Sequence, residues 1–237
     1  MKFSIIIPTY NEARVVAKTL PQYAKVKDHF DLELIVADGG STDGTLKIAE
    51  KYADQIAYKK EKAVETIAHG RNRGATLATG DVLIFFDADI IVSSLPLLLQ
   101  AIELTFRDQS VVAGTARTGV YPEERILADR IFAKFFWWYV IFLNLIKRGA
   151  AKGECQIIRR SVFKKLKGYK DSLGAGEDFE LFGRLAKVGT IRCLPIDIYE
   201  SPRRYRKVGY PKIMWLWSVN AIMALSGRPV DKWPTVR

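Results

Sequence analysis

The first half of the chain alternates between short apolar runs and segments with a helical pattern, and this alternation constrains the fold most strongly. Helices are predicted from about Ala13, from Asp43 and near Ala63 to Thr79, and the apolar runs between them are FSIII, LELIV and VLIFF. Such alternation is typical of βαβ units, whose strands form a parallel sheet that is buried on both faces. The sequence therefore predicts an α/β fold with a mostly parallel central sheet flanked by helices.

Each of the three apolar runs ends in polar residues. FSIII leads into PTYNE, LELIV leads into ADGG, and VLIFF leads into DAD. In an open α/β sheet, ligands bind outside the carboxyl ends of the strands. We therefore predict a cleft at this edge, built from carboxylates, one aromatic ring and exposed backbone amides.

The DAD segment raises a question of charge, because Asp87 and Asp89 are two residues apart. In an extended chain both side chains would point to one face, ~7 Å apart. Two carboxylates at that distance repel by ~2.4 kcal/mol when the effective dielectric constant is ~20. A divalent cation held by both would turn this repulsion into attraction, whereas the alternative is a solvated strand end.

Composition limits the partners. The 237 residues are 49% hydrophobic and 27% charged, and the net charge is +11, so a globular chain with an anionic partner is expected. The two cysteines form no CxxC pattern and there are only two histidines, which argues against a histidine-rich zinc site. The N-terminus reaches proline and charge after too few apolar residues for a signal peptide, so a cytoplasmic location is expected.

Four blocks of the sequence, in order, resemble the signatures of family 2 glycosyltransferases, the inverting GT-A type. The blocks are SIIIPTYNE, VADGGSTDGT, GRNRGATLATGDVLIFFDAD and GAGEDFELFGRLAKVG, and the resemblance runs from Lys2 to about Gly189. It implies a Rossmann-like GT-A sheet and the metal-dependent transfer of a single sugar, as in a hexosyltransferase. The donor would be a nucleotide-diphospho sugar, and the acceptor would carry a hydroxyl or phosphate group.

The resemblance also implies roles for individual residues near the donor. The DAD block matches the DxD motif, in which Asp89, together with Asp87, would hold Mn²⁺ or Mg²⁺ bridging the diphosphate. The loop after the first strand matches the nucleoside site, through Pro8, Tyr10 and Glu12.

Two further residues have both an implied role and an alternative. Asp38 matches an acid that bonds the base edge, or else it is a turn acid. Arg71 matches a basic residue near the base or phosphate, or else it is a solvated helix charge.

The second half of the chain supplies a candidate general base. Inverting transfer requires a base that takes the proton of the acceptor hydroxyl. In the resemblance, the aspartate of the ED pair has this role, which assigns it to Asp178 and leaves Glu177 as a substrate-binding candidate. The alternative is that both acids are simply favoured in the first turn of a helix.

Two segments are unusually apolar, ILADRIFAKFFWWYVIFLNLIKRG and IMWLWSVNAIMAL. Each is too short to span a bilayer comfortably. Trp215 and Trp217, with basic residues on both sides including Arg228 and Lys232, resemble a helix lying in a membrane interface. We therefore expect apolar helices in the C-terminal half, with peripheral contact to the cytoplasmic membrane face and a lipid-linked acceptor. The alternative is that these helices pack on the sheet or on each other.

The expected organisation is a GT-A domain over residues 1–200, with a nucleotide-sugar half (1–92) and an acceptor half (93–200). A basic, apolar helical extension would follow over residues 201–237. Processive family members carry QxxRW after the base, and SPRRYRKVGYP here argues against polymer synthesis. Two rival functions are a non-catalytic nucleotide-sugar binding module and a sugar nucleotidyltransferase. Nucleic-acid binding is not expected, because the aromatic residues form apolar helical blocks.

Overall fold

The structure, a computed structural model, describes residues 1–60 and 65–225. The strands are β1 (Phe3–Thr9), β2 (Leu32–Asp38), β3 (Gln55–Tyr58), β4 (Val82–Phe86), β5 (Ile91–Val92), β6 (Val111–Val120), β7 (Cys155–Arg159) and β8 (Thr190–Glu200). The helices are α1 (Ala13–Thr19), α2 (Pro21–Ala24), α3 (Thr45–Ala49), α4 (Ile67–Leu77), α5 (Leu95–Phe106), α6 (Leu127–Leu145), α7 (Arg160–Lys165), α8 (Glu177–Leu185), α9 (Arg203–Val208) and α10 (Tyr210–Leu225).

All of these strands belong to one sheet with the order β3-β2-β1-β4-β7-β6-β8-β5. Strands β1 to β4 are mutually parallel, as the βαβ pattern predicted. Strand β7 runs antiparallel between β4 and β6, whereas β8 is parallel to β6 and antiparallel to β5. The prediction of a mostly parallel sheet flanked by helices is confirmed, and each antiparallel pairing involves β7 or β8 from the second half of the chain.

Side chains alternate between the two faces of the sheet along each strand, and both faces are buried. Ile5 and Ile7 of β1 belong to one hydrophobic core, which also contains Val16 and Leu20 from the first helical segment. Ile6 points to the other face and belongs to a second core, with Phe85. Two-sided burial explains why β1, β2 and β4 read as nearly continuous apolar runs.

Helix α4 packs unusually close to β1. A Cβ atom on Gly74 would lie 2.5 Å from Cγ2 of Ile6, so only glycine allows this approach. The helix follows Thr66, whose hydroxyl accepts a hydrogen bond from the His69 N–H. It is shorter than the predicted segment from Ala63 to Thr79, whose first two residues lie outside the described part of the chain. Likewise, the helix expected from Asp43 begins at Thr45.

The two apolar segments form α6 and α10, which pack against each other. Ile213 of α10 is 1% exposed, and the Trp217 ring lies 5.1 Å from the ring of Phe136 in α6. The half-buried Trp217 thus packs against α6, as the alternative of helix packing expected, and membrane contact stays a prediction. Trp215 is 69% exposed.

No helix in residues 1–60 or 65–225 has the length and hydropathy needed to cross a bilayer. Both halves expected for residues 1–200 contribute strands to the same sheet. The expected extension contains α9 and α10, while its residues 226–237, including Arg228 and Lys232, lie outside the described part. The division into these domains stays a prediction.

Candidate active site

The polar ends of β1, β2 and β4 lie at the same edge of the sheet. Residue Thr9 pairs with Asp38 in the register of β1 and β2, and β4 runs parallel to β1 on its other side. These three strand ends therefore deliver the PTYNE, ADGG and DAD segments to one region. Open parallel sheets bind their ligands in this position.

Asp38 organises the loop that follows β2. It is 1% exposed, and one carboxylate oxygen accepts hydrogen bonds of 2.8 Å from the N–H groups of Gly40 and Ser41. Its other carboxylate oxygen accepts bonds from the hydroxyls of Thr9 and Ser41. These contacts are those of a turn acid, and contact with a nucleotide base stays a prediction.

The loop after β1 is tied to the loop after β2 through Asn11. Its N–H donates to the Ser41 hydroxyl at 2.9 Å, and its side-chain carbonyl accepts from the N–H of Thr42 at 2.8 Å. The N–H of Glu12 donates to the Thr45 hydroxyl at 2.9 Å. Between these ties, Tyr10 is 45% exposed, next to the half-buried Pro8. The tied loops thus present the Tyr10 ring at the edge of the sheet.

Asp87 and Asp89 lie on a turn rather than on an extended strand. Strand β4 ends at Phe86, and the N–H of Ile90 donates to the carbonyl of Asp87 at 3.2 Å. The extended geometry expected for DAD is therefore wrong, because the chain reverses before β5. Both carboxyl groups have a raised pKa because of burial, and the pKa of Asp87 is about 6.

Arg71 contacts Asp87 and connects three parts of the site. It is 1% exposed, and its guanidinium donates to Asp87 at 2.8 Å, to Glu177 at 2.7 Å and to the carbonyl of Gly153 at 2.8 Å. The alternative of a solvated helix charge is wrong for this arginine. The side chain is occupied by internal partners, so its first role is to hold the two acids in place.

Asp178 lies in the first turn of α8, after Gly176 in the left-handed conformation (φ 75°). A Cβ on Gly153 would lie 3.3 Å from Oδ2 of Asp178 and 3.7 Å from a guanidinium nitrogen of Arg71. The candidate base thus borders the same glycine as Arg71. Burial, and then the neighbouring Glu177, raise the pKa of Asp178 to about 8, which suits a carboxylate that accepts a proton near neutral pH.

A buried charged cluster next to the aspartates was missed from the sequence. Lys152 contacts the Glu200 carboxylate and lies 3.7 Å from that of Glu154. The Tyr205 hydroxyl donates to Glu200 at 2.6 Å, and Arg204 lies 3.9 Å from Glu154. The sequence did carry a signal for this proximity, because Glu154 directly precedes the apolar strand β7 and Asp87 directly follows the apolar strand β4. Register pairs Phe86 with Cys155, so Asp87 and Glu154 leave the sheet side by side.

The donor set of the site fits a divalent cation that is shared with a substrate. No group of three or more His, Cys, Asp or Glu side chains in the described ranges has the geometry of a metal cage. Mg²⁺ and similar hard cations are commonly held by one or two carboxylates together with substrate phosphates. Asp89 and Asp87 are two carboxylates of this kind, although Asp87 also accepts a bond from Arg71, and metal binding by the pair stays a prediction.

The sheet and its flanking helices define a GT-A fold. The structure superimposes on a mannosyltransferase from Pyrobaculum calidifontis, PcManGT, solved in complex with GDP-Man and Mn²⁺, with a TM-score of 0.68 and 21% identity over 98% of this chain and 66% of that one. It also superimposes on glucosyl-3-phosphoglycerate synthase from Mycobacterium tuberculosis, solved with Mn²⁺, UDP and phosphoglyceric acid. That match has a TM-score of 0.66 and 16% identity over 97% of this chain and 80% of the other.

The chain belongs to glycosyl transferase family 2, whose family model matches residues 4–167. It is 39% identical over 95 residues to YfnE of Bacillus subtilis (strain 168), an uncharacterized glycosyltransferase. The alignment covers 39% of this chain and 24% of YfnE. The chain covers between 16% and 35% of the length of such curated relatives.

Proposed function

We propose that this chain transfers a single sugar from a nucleotide-diphospho sugar to an acceptor, with inversion at the anomeric carbon. The observation that carries the proposal is the pair of hydrogen bonds from Arg71 to Asp87 and Glu177. These bonds bring Asp87 of the DAD segment and Glu177, the neighbour of the candidate base Asp178, to one guanidinium. Membership of family 2 supports the same reaction class.

The nucleoside of the donor would bind between the loops after β1 and β2. Tyr10, which is 45% exposed, offers a ring on which a base can stack. Pro8, Glu12 and Asp38 complete this proposed subsite, Asp38 chiefly by fixing the loop whose N–H groups it binds. Two superimposed proteins were solved with GDP-Man or UDP, which supports a pyrophosphate nucleotide as the ligand.

Asp89 and Asp87 would hold Mn²⁺ or Mg²⁺ together with the diphosphate of the donor. Such an ion, when bound, neutralises the charge that builds up on the departing nucleoside diphosphate. Mn²⁺ is present in both superimposed structures. The net charge of +11 favours the approach of the anionic donor.

Asp178 would act as the general base. Its carboxylate takes the proton of the acceptor hydroxyl, whose oxygen then forms a bond to the anomeric carbon while the bond to the diphosphate oxygen breaks. With its pKa raised to about 8, the ionised form of this carboxylate is a stronger base than that of an ordinary aspartate. Glu177, which already accepts a bond from Arg71, would position the base and the substrate rather than take the proton.

The acceptor would carry its hydroxyl or phosphate group on a lipid, and the protein would reach it as a peripheral protein on the cytoplasmic face of a membrane. Large apolar side chains that are exposed on the acceptor half of the chain support this version. A small soluble acceptor is the alternative, and in that case vesicles would not be needed for transfer.

A thermal-shift panel of UDP, GDP, CDP and dTDP, with and without Mn²⁺, tests the donor and metal assignments together. A ligand at 100 times its dissociation constant stabilises a protein by ~2.7 kcal/mol. We expect one nucleotide to raise the melting temperature only when Mn²⁺ is present. Equal shifts with EDTA would contradict the metal assignment, and no shift with any nucleotide would contradict the donor site.

Release of free nucleoside diphosphate from the matching donor separates an enzyme from a binding module. An enzyme transfers or slowly hydrolyses the sugar, whereas a binding module shows the thermal shift without turnover. A sugar nucleotidyltransferase would instead form pyrophosphate from a nucleoside triphosphate. The three functions are thus distinguished by release of nucleoside diphosphate, by binding without turnover and by formation of pyrophosphate.

A further inference from the structure

One face of α6 carries a continuous stripe of apolar side chains that the described residues leave uncovered. Leu127, Ile131, Phe135, Trp138, Phe142 and Leu145 follow each other at steps of three or four residues, and each of them is between 56% and 76% exposed. Residues at such steps share one side of a helix. We call these six residues the α6 stripe. A contiguous apolar face of this size is a marker of a membrane or protein contact.

The opposite face of the same helix packs onto the protein. Phe136 and Val140 are 7% and 3% exposed, and they belong to a cluster that includes Trp217. Phe132 contacts the ring of Tyr205 with 5.5 Å between the centroids, and Tyr205 in turn bonds the Glu200 of the buried charged cluster. The helix is thus fixed by its inner face, with the α6 stripe turned outward on the acceptor half.

The charges around the α6 stripe indicate what covers it. Between residues 127 and 148 the exposed charged side chains are all basic, namely Arg130, Lys134, Lys147 and Arg148. The single acid in this range, Asp129, is 2% exposed and is paired with Arg206. Helices with a bulky aromatic face and lysine or arginine beside it lie in the headgroup region of anionic bilayers.

We propose that the α6 stripe is a docking face for an anionic phospholipid membrane, on which the helix lies flat. This inference rests on the proposed function, since it places the acceptor half of the site at the lipid surface. The helix is 19 residues long and would extend ~28 Å along the membrane plane. A second copy of the chain is disfavoured as the occupant, because both copies would bring Arg130 and Lys134 to the contact and each copy carries a net charge of +11.

Vesicle sedimentation tests the proposal without any need for turnover. With vesicles of equal parts phosphatidylglycerol and phosphatidylcholine at low salt, the protein should pellet, and added salt should release it. The variant Phe135→Ser/Trp138→Ser/Phe142→Ser should partition ~100-fold more weakly. The matched control is Leu97→Ser/Leu104→Ser, which removes two apolar side chains that are 54% and 63% exposed on α5, and it should bind as the parent does.

Substitution of the two basic residues Arg130 and Lys134 gives a second, milder variant, which is used if the triple variant does not fold. Arg130→Gln/Lys134→Gln should weaken binding to anionic vesicles by ~30-fold, and should change binding to pure phosphatidylcholine little. A parent protein that stays in the supernatant with both vesicle types would overturn the proposal, as would equal losses in the α5 control. A stable dimer that the triple variant dissociates, without vesicle binding, would assign the face to a second copy instead.

Nucleotide-induced thermal shifts, measured without vesicles, distinguish this proposal from the proposed function. The triple variant should keep the shift of the parent protein, because the α6 stripe lies outside the donor site. If the triple variant loses vesicle binding and keeps the nucleotide-induced shift, the result bears only on the α6 stripe. A missing nucleotide shift in the parent, with vesicle binding intact, contradicts only the proposed function.

Discussion

Arg71 in α4 donates a hydrogen bond of 2.7 Å to Glu177 at the start of α8, and the two residues are 106 positions apart in the chain. The same guanidinium binds Asp87 at 2.8 Å. A buried ion pair is not in itself a strong source of stability, but removing one partner leaves an uncompensated buried charge. The link therefore makes the geometry of both acidic motifs depend on one side chain.

The first prediction concerns that dependence. Arg71→Met should lower the free energy of unfolding by about 3 to 5 kcal/mol, because Asp87 and Glu177 lose their shared cation. Urea denaturation measures this change. Arg14→Met, which removes an exposed arginine of α1, is the matched control and should change stability by less than about 0.5 kcal/mol. Adding Glu177→Gln to Arg71→Met should recover part of the loss, and an additive loss instead would show that the two residues are not coupled.

The second prediction concerns the metal. Asp89→Ala should abolish the Mn²⁺-dependent part of nucleoside diphosphate binding, because one of two carboxylate ligands is lost. Isothermal titration calorimetry with and without EDTA measures it. Asp28→Ala removes an exposed acid of the segment after α2 and should leave binding unchanged. If Asp89→Ala binds the nucleotide as the parent protein does, the ion lies elsewhere.

The third prediction separates chemistry from binding. Asp178→Asn should keep the affinity for the donor and lower the rate of transfer by about 10²- to 10⁴-fold, which is the usual contribution of a positioned base. Single-turnover kinetics with a saturating donor measure the rate. The matched variant Glu177→Gln keeps the shape of the Glu177 side chain and should lower the rate less than Asp178→Asn does. A larger loss in Glu177→Gln than in Asp178→Asn would move the proton acceptor to Glu177.

The fourth prediction follows from the pKa of Asp178, which burial and Glu177 raise from 3.8 to about 8. Because the folded state binds this proton more tightly than the unfolded state, the contribution to stability is complete below about pH 4 and is lost as the pH rises through about 8. Asp178→Asn, which cannot ionise, should therefore gain stability relative to the parent as the pH rises from about 4 to about 8. Thermal unfolding in EDTA checks this, with Asp28→Asn as the control. A constant difference across that range would show that the carboxyl group titrates normally.

The sequence by itself determined the parallel half of the sheet and the candidate acids. Continuous apolar runs such as VLIFF indicate strands buried on both faces, and this is a local property of the chain. The polar residues after Thr9, Asp38 and Phe86 had to meet at one edge, because the carboxyl ends of parallel strands lie together. The ED pair after its two glycines indicated the start of α8, and its candidate role came from the resemblance to family 2 glycosyltransferases.

Only the tertiary structure decided which partners these residues have. The site around Arg71 depends on antiparallel β7, which runs next to β4 and follows Gly153, the residue that lies beside both Arg71 and Asp178. The turn at Asp87 and the burial of Lys152 depend on the same arrangement. From Phe135 to Leu145 helix α6 carries no charged residue, and the sequence alone could not show which side of this stretch would face solvent. Packing against Trp217 fixed that choice, because contacts between distant segments are set by how the elements pack and not by local periodicity.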